Sequence, residues 1–535
     1  MTSIPVETEQ EIRPQAETAH AHRIPIALLV AYAVAIAAAG VIYQPWVSTP
    51  FDIIDFSEFL PFLYQHNSFG ERFAAFAGYF VSQGRFDLLS YLLIIWKWSF
   101  FGSNVVGWQI ARFVEMCVIV IAVYLLLRRL GSEMWGAAFG ASLFIVAQTA
   151  SPAWIRLTMG EPFGLLAIIG ASLIATRYQT TTRWRSSAAA IAILLTLTLL
   201  AKEMLVAFVP FVLLLAGTSD GSGGWQRLRP TRRNVWLATL VGVGAVAVLA
   251  SVAVVALQAS AGAYAADYGT GSPSLDRLLH SIVVILFPAS GPLGSRLSLA
   301  HIFANVLFLA LTVTGVMLAH TDSGLTRRWS SLGVSALVLV AVGALMYLPW
   351  PYFQSFYGLP FLLAPALLLA LAVTSIERIR PSWRWAAYAA CVAIFVQGAS
   401  YAAHDSRSAI AARKMNRVLI GALATQPSAD SVVVAMRYLP SQSWQGLGPT
   451  LGRYAKAVLP DRRIPEISDA LCPATLPMLR QGVGNAILVT YSSQCGAFPV
   501  PARTLRYYYT YLQWPTLTPR RDSLVVGILG LDGSK

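Results

Sequence analysis

Apolar runs of membrane-crossing length recur along the chain, divided by short turns rich in arginine. A helix needs about 20 residues to cross a hydrocarbon core. Such runs cover 24–43, 104–127, 134–150, 159–176, 235–257, 299–319, 331–348, 357–375 and 385–402. The run SSAAAIAILLTLTLLAKEMLVAFVPFVLLLAG, residues 186–217, is too long for one helix without strong tilt, and Lys202-Glu203 interrupts it. It predicts two short helices, 186–200 and 204–217, meeting at that pair. The pattern therefore predicts an α-helical polytopic membrane protein with about eleven transmembrane helices.

The turns set the orientation. With the N-terminus in the cytoplasm, the turns 128–133, 177–185, 225–233, 320–329 and 377–384 share one side, and each is short and basic. Cytoplasmic loops carry this excess of Lys and Arg. Without the division at Lys202-Glu203 the basic turns would alternate between sides, so charge supports the two-helix reading independently of length. The opposite face collects residues 44–103, the turn SPAWIRLTMGEP (151–162), Lys202-Glu203, residues 258–298, the turn PWPYFQSFYGLP (349–360) and everything from His404. Within it, LLSYLLIIWKWSFFG (88–102) is short for a span, and its Trp and Lys suit a helix lying at the membrane surface. DRLLHSIVVILFPAS (276–290) reads as interfacial or re-entrant.

The ends differ from the middle. Residues 1–23 are polar and mixed in charge, which predicts a disordered cytoplasmic tail. They lack the basic start and small-residue cleavage pattern of a signal peptide, so the first span is expected to be a retained anchor. From about 430 the composition shifts. DSVVVAMRYLP, NAILVTYSSQCG, TLRYYYTYLQW and DSLVVGILGLDG read as strands between turns, and GPTLGRYAKAVLP as partly helical. The expected organisation is a transmembrane module over 24–403, with a long extracytoplasmic loop at 44–103, and a small extracytoplasmic α/β domain over 404–535.

Composition sharpens this picture. The chain is 56% hydrophobic and only 12% charged, with mean hydropathy +0.60. Soluble chains carry about a quarter charged residues. The net charge of +14 would suggest a nucleic-acid partner in a soluble protein. Here the basic turns account for it, and no nucleic-acid-binding signature accompanies it. Cys117 and Cys391 lie in apolar spans, whereas Cys472 and Cys495 lie in the polar C-terminal segment and could pair in an oxidising compartment.

The candidate chemistry lies on the outer face. The stretch QPWVSTPFDIIDFSEFLPFL (44–63) places Asp52, Asp55 and Glu58 within seven otherwise apolar residues. A plainer reading makes Asp52 a helix cap and the others its solvated face. The surrounding Phe51, Ile53, Ile54, Phe56 and Phe59 are too apolar for open water, which favours packing on the membrane body with a carboxylate facing a cavity. The same face carries Arg85 in SQGRFD, Arg156 and Glu161 in IRLTMGEPFG, and Lys202-Glu203 inside an apolar run. Charges inside membrane segments are costly and mark cavities and functional sites. Arg112 and Glu115, a helical turn apart, suit a structural ion pair. Carboxylates can act as general base toward a hydroxyl, and Arg or Lys can hold a phosphate leaving group. A lipid-phosphate-linked sugar meeting an acceptor at the membrane surface needs both.

These stretches resemble the GT-C superfamily of integral-membrane glycosyltransferases, in particular the protein mannosyltransferase and lipid A aminoarabinose transferase group. The likeness lies in the layout of FDIIDFSEFLPFL (51–63), residues 79–131, IRLTMGEPFGLLAIIGASLI (155–174) and LLAKEMLVAFVPFVLLL (199–215), and in YGLPFLLAPALLLAL (357–371). It covers about residues 24–375. It implies a polyprenyl-phosphate sugar donor and a glycan, lipid or protein acceptor outside the cytoplasm. It further implies a first-loop Asp, Asp55 or Asp52, as catalytic base. Glu58, Arg85, Arg156, Glu161, Lys202, Glu203 and Tyr357 are the expected substrate-binding residues. Tyr357 opens the late span that resembles the one beside the lipid phosphate. Some members need a divalent metal such as Mg or Mn and others do not. The carboxylates here could coordinate one, but no His and acid cluster has metal spacing, and His280 and His301 are isolated.

Other classes stay open. A transporter or flippase would also place charges in a membrane cavity, but it predicts internal repeats, and none relates 24–200 to 235–402. An O-antigen ligase or polymerase would share the location and the lipid-linked donors, yet it carries its large loop late in the chain. From residue 405 onward there are fifteen Lys or Arg against seven Asp or Glu, and RYYYTYLQW (506–514) could stack on sugars or simply form a strand with one packed face. The expected setting is a bacterial inner membrane, with the site and the C-terminal domain on the periplasmic side.

Overall fold

A computed structural model describes residues 26–51, 59–82, 84, 86–218, 231–258, 274–287, 289, 299–348, 355–425, 431–436, 447–459, 466–471, 503–513 and 518–528. Among these, seven helices are long and apolar enough to cross a membrane, and five shorter apolar helices accompany them. The chain is a multi-pass, mainly helical membrane protein. Asp52, Asp55, Glu58, Arg85, Cys472 and Cys495 fall outside the described residues, so the expected Cys472–Cys495 pairing does too.

The chain begins with α1 (Ile26–Tyr43). Three helices then precede the next long span: α2 (Leu60–Gln65), α3 (Phe69–Ser82) and α4 (Leu88–Phe101). Helix α3 starts on a capping box. Ser68 Oγ accepts from the Glu71 backbone N–H at 3.2 Å, and Glu71 Oε2 accepts from the Ser68 N–H at 3.2 Å, so two backbone donors at the helix entrance are satisfied reciprocally. The span α5 (Val105–Arg129) follows, then α6 (Met134–Val146), the single turn α7 (Ser151–Ile155) and α8 (Glu161–Ala175).

The run 186–217 divides as its charges predict. Helix α9 (Trp184–Ala201) stops, Lys202 is extended, a 3-10 turn covers Glu203–Ala207, and α10 (Phe208–Thr218) continues. The remaining helices are α11 (Arg232–Gln258), the amphipathic α12 (Leu275–Leu286), α13 (Leu299–Ala319) and α14 (Ser323–Arg328). A π-helical turn at Trp329–Gly333 joins α14 to α15 (Val334–Tyr347). Then come α16 (Leu363–Ile379) and α17 (Arg384–Thr425).

Helix α17 departs from expectation. It runs 42 residues without a break, well beyond the span expected at 385–402. The residues after 402 keep helical spacing on one buried side, through Ser406, Ile410, Arg413 and Asn416. The polar members of that side find partners on the membrane body, among them Ser406 Oγ on Tyr43 O at 3.4 Å. Helix α4 exposes Trp96 and Phe100, while Lys97 is buried and ion-paired with Glu115 of α5. A carboxylate inside the protein replaces the solvent that the lysine would otherwise seek.

Helix α16 is the hub. Every residue from Leu363 to Ile376 is buried, and the helix packs on α6, α13 and α15. Its contact with α6 is a small-residue seam, the usual way for helices to approach closely where apolar burial gives no drive. A Cβ on Gly140 would lie 2.6 Å from the Ala366 carbonyl oxygen, and one on Gly136 2.7 Å from that of Ala370. Backbone oxygens cannot move aside as a side-chain end can. Gly140→Val is therefore expected to lower stability by about 2 kcal/mol or more, read as a clear fall in the melting temperature of the detergent-purified protein. Gly242→Ala in α11, where a Cβ meets nothing within 4 Å, should melt like wild type.

The basic turns interlock at one end of the bundle. Arg378 pairs with Glu133 at 2.6 Å, and Arg328 donates to the Gly131 carbonyl. Arg233 donates to Gln179 O at 2.8 Å, and Tyr178 OH donates to Arg233 O at 2.7 Å. The described C-terminal elements are a parallel pair, β1 (Ser431–Met436) with β2 (Glu466–Leu471), and an antiparallel pair, β3 (Arg503–Gln513) with β4 (Thr518–Ile528). Helix α18 (Leu447–Val458) lies between β1 and β2 in sequence and packs on α2.

Candidate functional site

The site is built where α9 ends. A helix terminus leaves carbonyls without intrahelical donors. The last carbonyl of α9, Ala201 O, accepts from Ser90 Oγ of α4 at 2.7 Å. That bond lets the chain leave the helix at Lys202, whose own N–H still donates to Thr198 O at 3.1 Å. Gly160, at the entrance to α8, completes the crossing. A Cβ there would lie 1.9 Å from Ser90 Oγ and 3.3 Å from Ala201 O, so only glycine allows α4, α8 and α9 to meet this closely.

Charged groups converge at that crossing. Lys202 Nζ pairs with Asp87 Oδ2 at 3.1 Å, and it stands 5.5 Å from the ring centroid of Tyr357, a cation–π distance. Glu203 has Lys202 and Asp87 as electrostatic neighbours. Glu161 is buried and has Lys202, Asp87 and Arg112 as electrostatic neighbours. It also opens α8, where a carboxylate suits the positive end of the helix dipole. Asp87 is buried, while Lys202 and Glu203 are partly exposed, so the cluster has an accessible side. Chemically it offers one cation, three carboxyl groups able to accept or share protons, and an aromatic face.

A second ionic network supports the first. Arg112 Nη1 pairs with Glu115 at 2.7 Å, and Lys97 pairs with the same carboxylate. Arg112 Nη2 donates at 2.8 Å to both Leu157 O and Met159 O. The expected Arg112–Glu115 pair therefore holds the segment that delivers Gly160 and Glu161 to the crossing.

Both flanks of the acidic stretch are anchored near this site. Phe51 lies 6.2 Å from Trp98 and 5.9 Å from Trp108 between ring centroids, and its carbonyl accepts from Tyr454 OH at 3.3 Å. Phe59 stacks 5.5 Å from Phe76 and lies 5.4 Å from Phe80. Phe80 in turn stacks on Tyr91 at 4.8 Å, and Tyr91 OH accepts from the Asp87 backbone N–H at 3.2 Å. One aromatic cluster thus ties Phe51, Phe59 and Asp87 together.

Of the residues singled out from sequence, Glu161, Lys202, Glu203 and Tyr357 come together. Arg156 ends α7, half-buried, just before the segment held by Arg112. Asp87 was missed. It stands two residues beyond Arg85, at the N-cap of an apolar helix, where an Asp ordinarily only caps. Here its side chain makes no cap bond and pairs with Lys202 instead. Among the described residues no group of three His, Cys, Asp or Glu side chains is placed to hold a metal ion.

No protein-family model matches the chain, and no curated relative does. Solved structures similar to it at low identity include the following three. The crystal structure of ArnT from Cupriavidus metallidurans bound to undecaprenyl phosphate is 13% identical, covering 94% of this chain and 98% of that one, with a TM-score of 0.45. The Archaeoglobus fulgidus oligosaccharyltransferase, in complex with zinc and sulfate, is 12% identical over 82% of this chain and 62% of that one, with a TM-score of 0.43. The mycobacterial arabinofuranosyltransferase AftD is 15% identical over 76% of this chain and 29% of that one, with a TM-score of 0.42.

Proposed function

We propose that the chain is a membrane glycosyltransferase that moves a sugar, hexosyl or pentosyl, from a polyprenyl-phosphate donor to a glycan, lipid or protein acceptor on the extracytoplasmic face. The observation that carries this reading is the Lys202–Asp87 pair, set among Glu161, Glu203 and Tyr357 where three helices end or begin. A partly buried cation and several carboxyl groups in one cluster suit a reaction that releases a phosphate and removes a proton.

In this reading an acceptor hydroxyl attacks the sugar carbon. The new carbon–oxygen bond forms as the bond from that carbon to the phosphate oxygen breaks. The electron pair leaves with the polyprenyl phosphate, and a carboxylate takes the hydroxyl proton. Asp55 or Asp52 is the proposed base, with Glu58 and Glu161 shaping the acceptor side. Lys202, Arg85 and Arg156 meet the phosphate, and Asp87 and Tyr357 orient Lys202 toward it. The C-terminal strands and α18 are proposed to form an α/β unit on the same face. The proposed setting is a bacterial inner membrane with this face in the periplasm.

The test is turnover of radiolabelled polyprenyl-phosphate sugars by the purified protein, with membrane glycolipid as acceptor, beside Asp52→Asn and Asp55→Asn. Loss of about 10²- to 10⁴-fold in one variant, with melting temperature unchanged, is expected. Absence of turnover with every donor, together with wild-type behaviour of both variants in cells, would rule the reading out.

A further inference from the structure

A cavity lies between the end of α1, α5, α7 and α17, beside the Arg112 clamp. It is an open cleft with about 420 Å³ of empty space, its mouth included. Arg112 and Arg413 line it, and both are buried. Arg413 Nη2 donates to Ile155 O. Gln109 also lines the cavity. With its amide oriented to donate to Val47 O at 3.0 Å and Pro45 O at 3.1 Å, it accepts from Arg413 Nη1 at 2.9 Å. No Asp or Glu among the described residues lines this space.

Two features point to an anion. The only charged side chains among the described residues that line the cavity are two buried arginines, Arg112 and Arg413, and charge in such a place is costly without a partner. The Nε–H of Arg112 is also buried with no hydrogen-bond partner, and buried donors are ordinarily satisfied. The rest of the wall, including Phe113, Met116, Trp154 and Ile410, is apolar. A free anion has no use for such a wall. The neighbouring α1 exposes Val34 and Val41 outward, which suits contact with acyl chains.

We propose that this cavity binds the anionic phosphate head group of a membrane lipid, at a site separate from Lys202. The Nε–H of Arg112 donates to a phosphate oxygen, Arg413 adds charge from α17, and the apolar wall takes the first carbons of the chains. The proposal rests on these residues alone and stands whether or not the chain transfers a sugar.

Native mass spectrometry of the full-length protein tests it, with dioleoyl phosphatidate, dioleoylglycerol and inorganic phosphate as probes. One phosphatidate should be retained at least about tenfold more tightly than dioleoylglycerol, and inorganic phosphate should not displace it. Arg413→Gln should weaken retention. Ala409→Trp, which fills the cavity, should weaken it about tenfold, and Arg378→Gln, in the interlocked basic turns, should leave it unchanged. Equal retention of the two lipids, or wild-type retention in Ala409→Trp, would overturn the proposal. Displacement by inorganic phosphate would assign the site to a free anion instead.

Discussion

Lys202→Met is expected to abolish transfer and to destabilise the protein, and a second substitution should separate the two effects. Lys202 is the cation paired with Asp87 at 3.1 Å, with both side chains mostly buried. Removing one partner of a buried pair leaves the other charge uncompensated, at a cost of about 3–5 kcal/mol. Here the abandoned Asp87 also faces Glu203 and Glu161, so the melting temperature should fall sharply. Asp87→Asn added to Lys202→Met removes the stranded charge and should restore most of the stability. Transfer should stay lost, by roughly 10²- to 10³-fold, the usual cost of deleting a group that stabilises developing charge. If stability and transfer returned together in the paired variant, Lys202 would be a structural residue only.

Lys202-Glu203 shows why part of this site was legible from sequence. Two charges inside a long apolar run are expensive anywhere in a membrane, so the run had to break there and the pair had to meet something. The structure places the break between Ala201 and Glu203. Asp87 carried no such signal, because an acid before an apolar helix has an ordinary explanation as a cap. Its role comes from Lys202, 115 positions away in sequence. The partner of Lys97 was hidden for a related reason, because Glu115 lies on another helix. The length of α17 was hidden too. Asp405, Arg407 and Arg413 look like the polar exit from a membrane, yet Ser151, Val41 and Ile155 supply their partners, so the helix continues.

Gly160→Ala is the second large effect expected. The added methyl would sit 1.9 Å from Ser90 Oγ and 3.0 Å from Ser90 Cβ, so Ser90 or the entrance to α8 must shift. Either movement breaks the Ser90–Ala201 bond that ends α9 and displaces Lys202 from Glu161. A displacement of about 1 Å costs on the order of 10²-fold in rate, so transfer should fall by about that factor. The bond itself is worth about 1 kcal/mol, and Ser90→Ala alone should cost little more. Because both substitutions act on one contact, their effects should not add. Ser90→Gly in the Gly160→Ala background opens the space again and should recover part of the lost rate. Equal rates in Gly160→Ala and wild type would show that this crossing does not position the site.

The central claim is that Lys202 meets the phosphate of a lipid-linked donor. The most direct measurement is a structure of the protein in lipid nanodiscs with polyprenyl phosphate added. The account predicts phosphate density within hydrogen-bond reach of Lys202 Nζ, beside Tyr357, with the prenyl chain leaving toward the bilayer. Phosphate bound elsewhere on the molecule, with Lys202 still closed on Asp87, would contradict it.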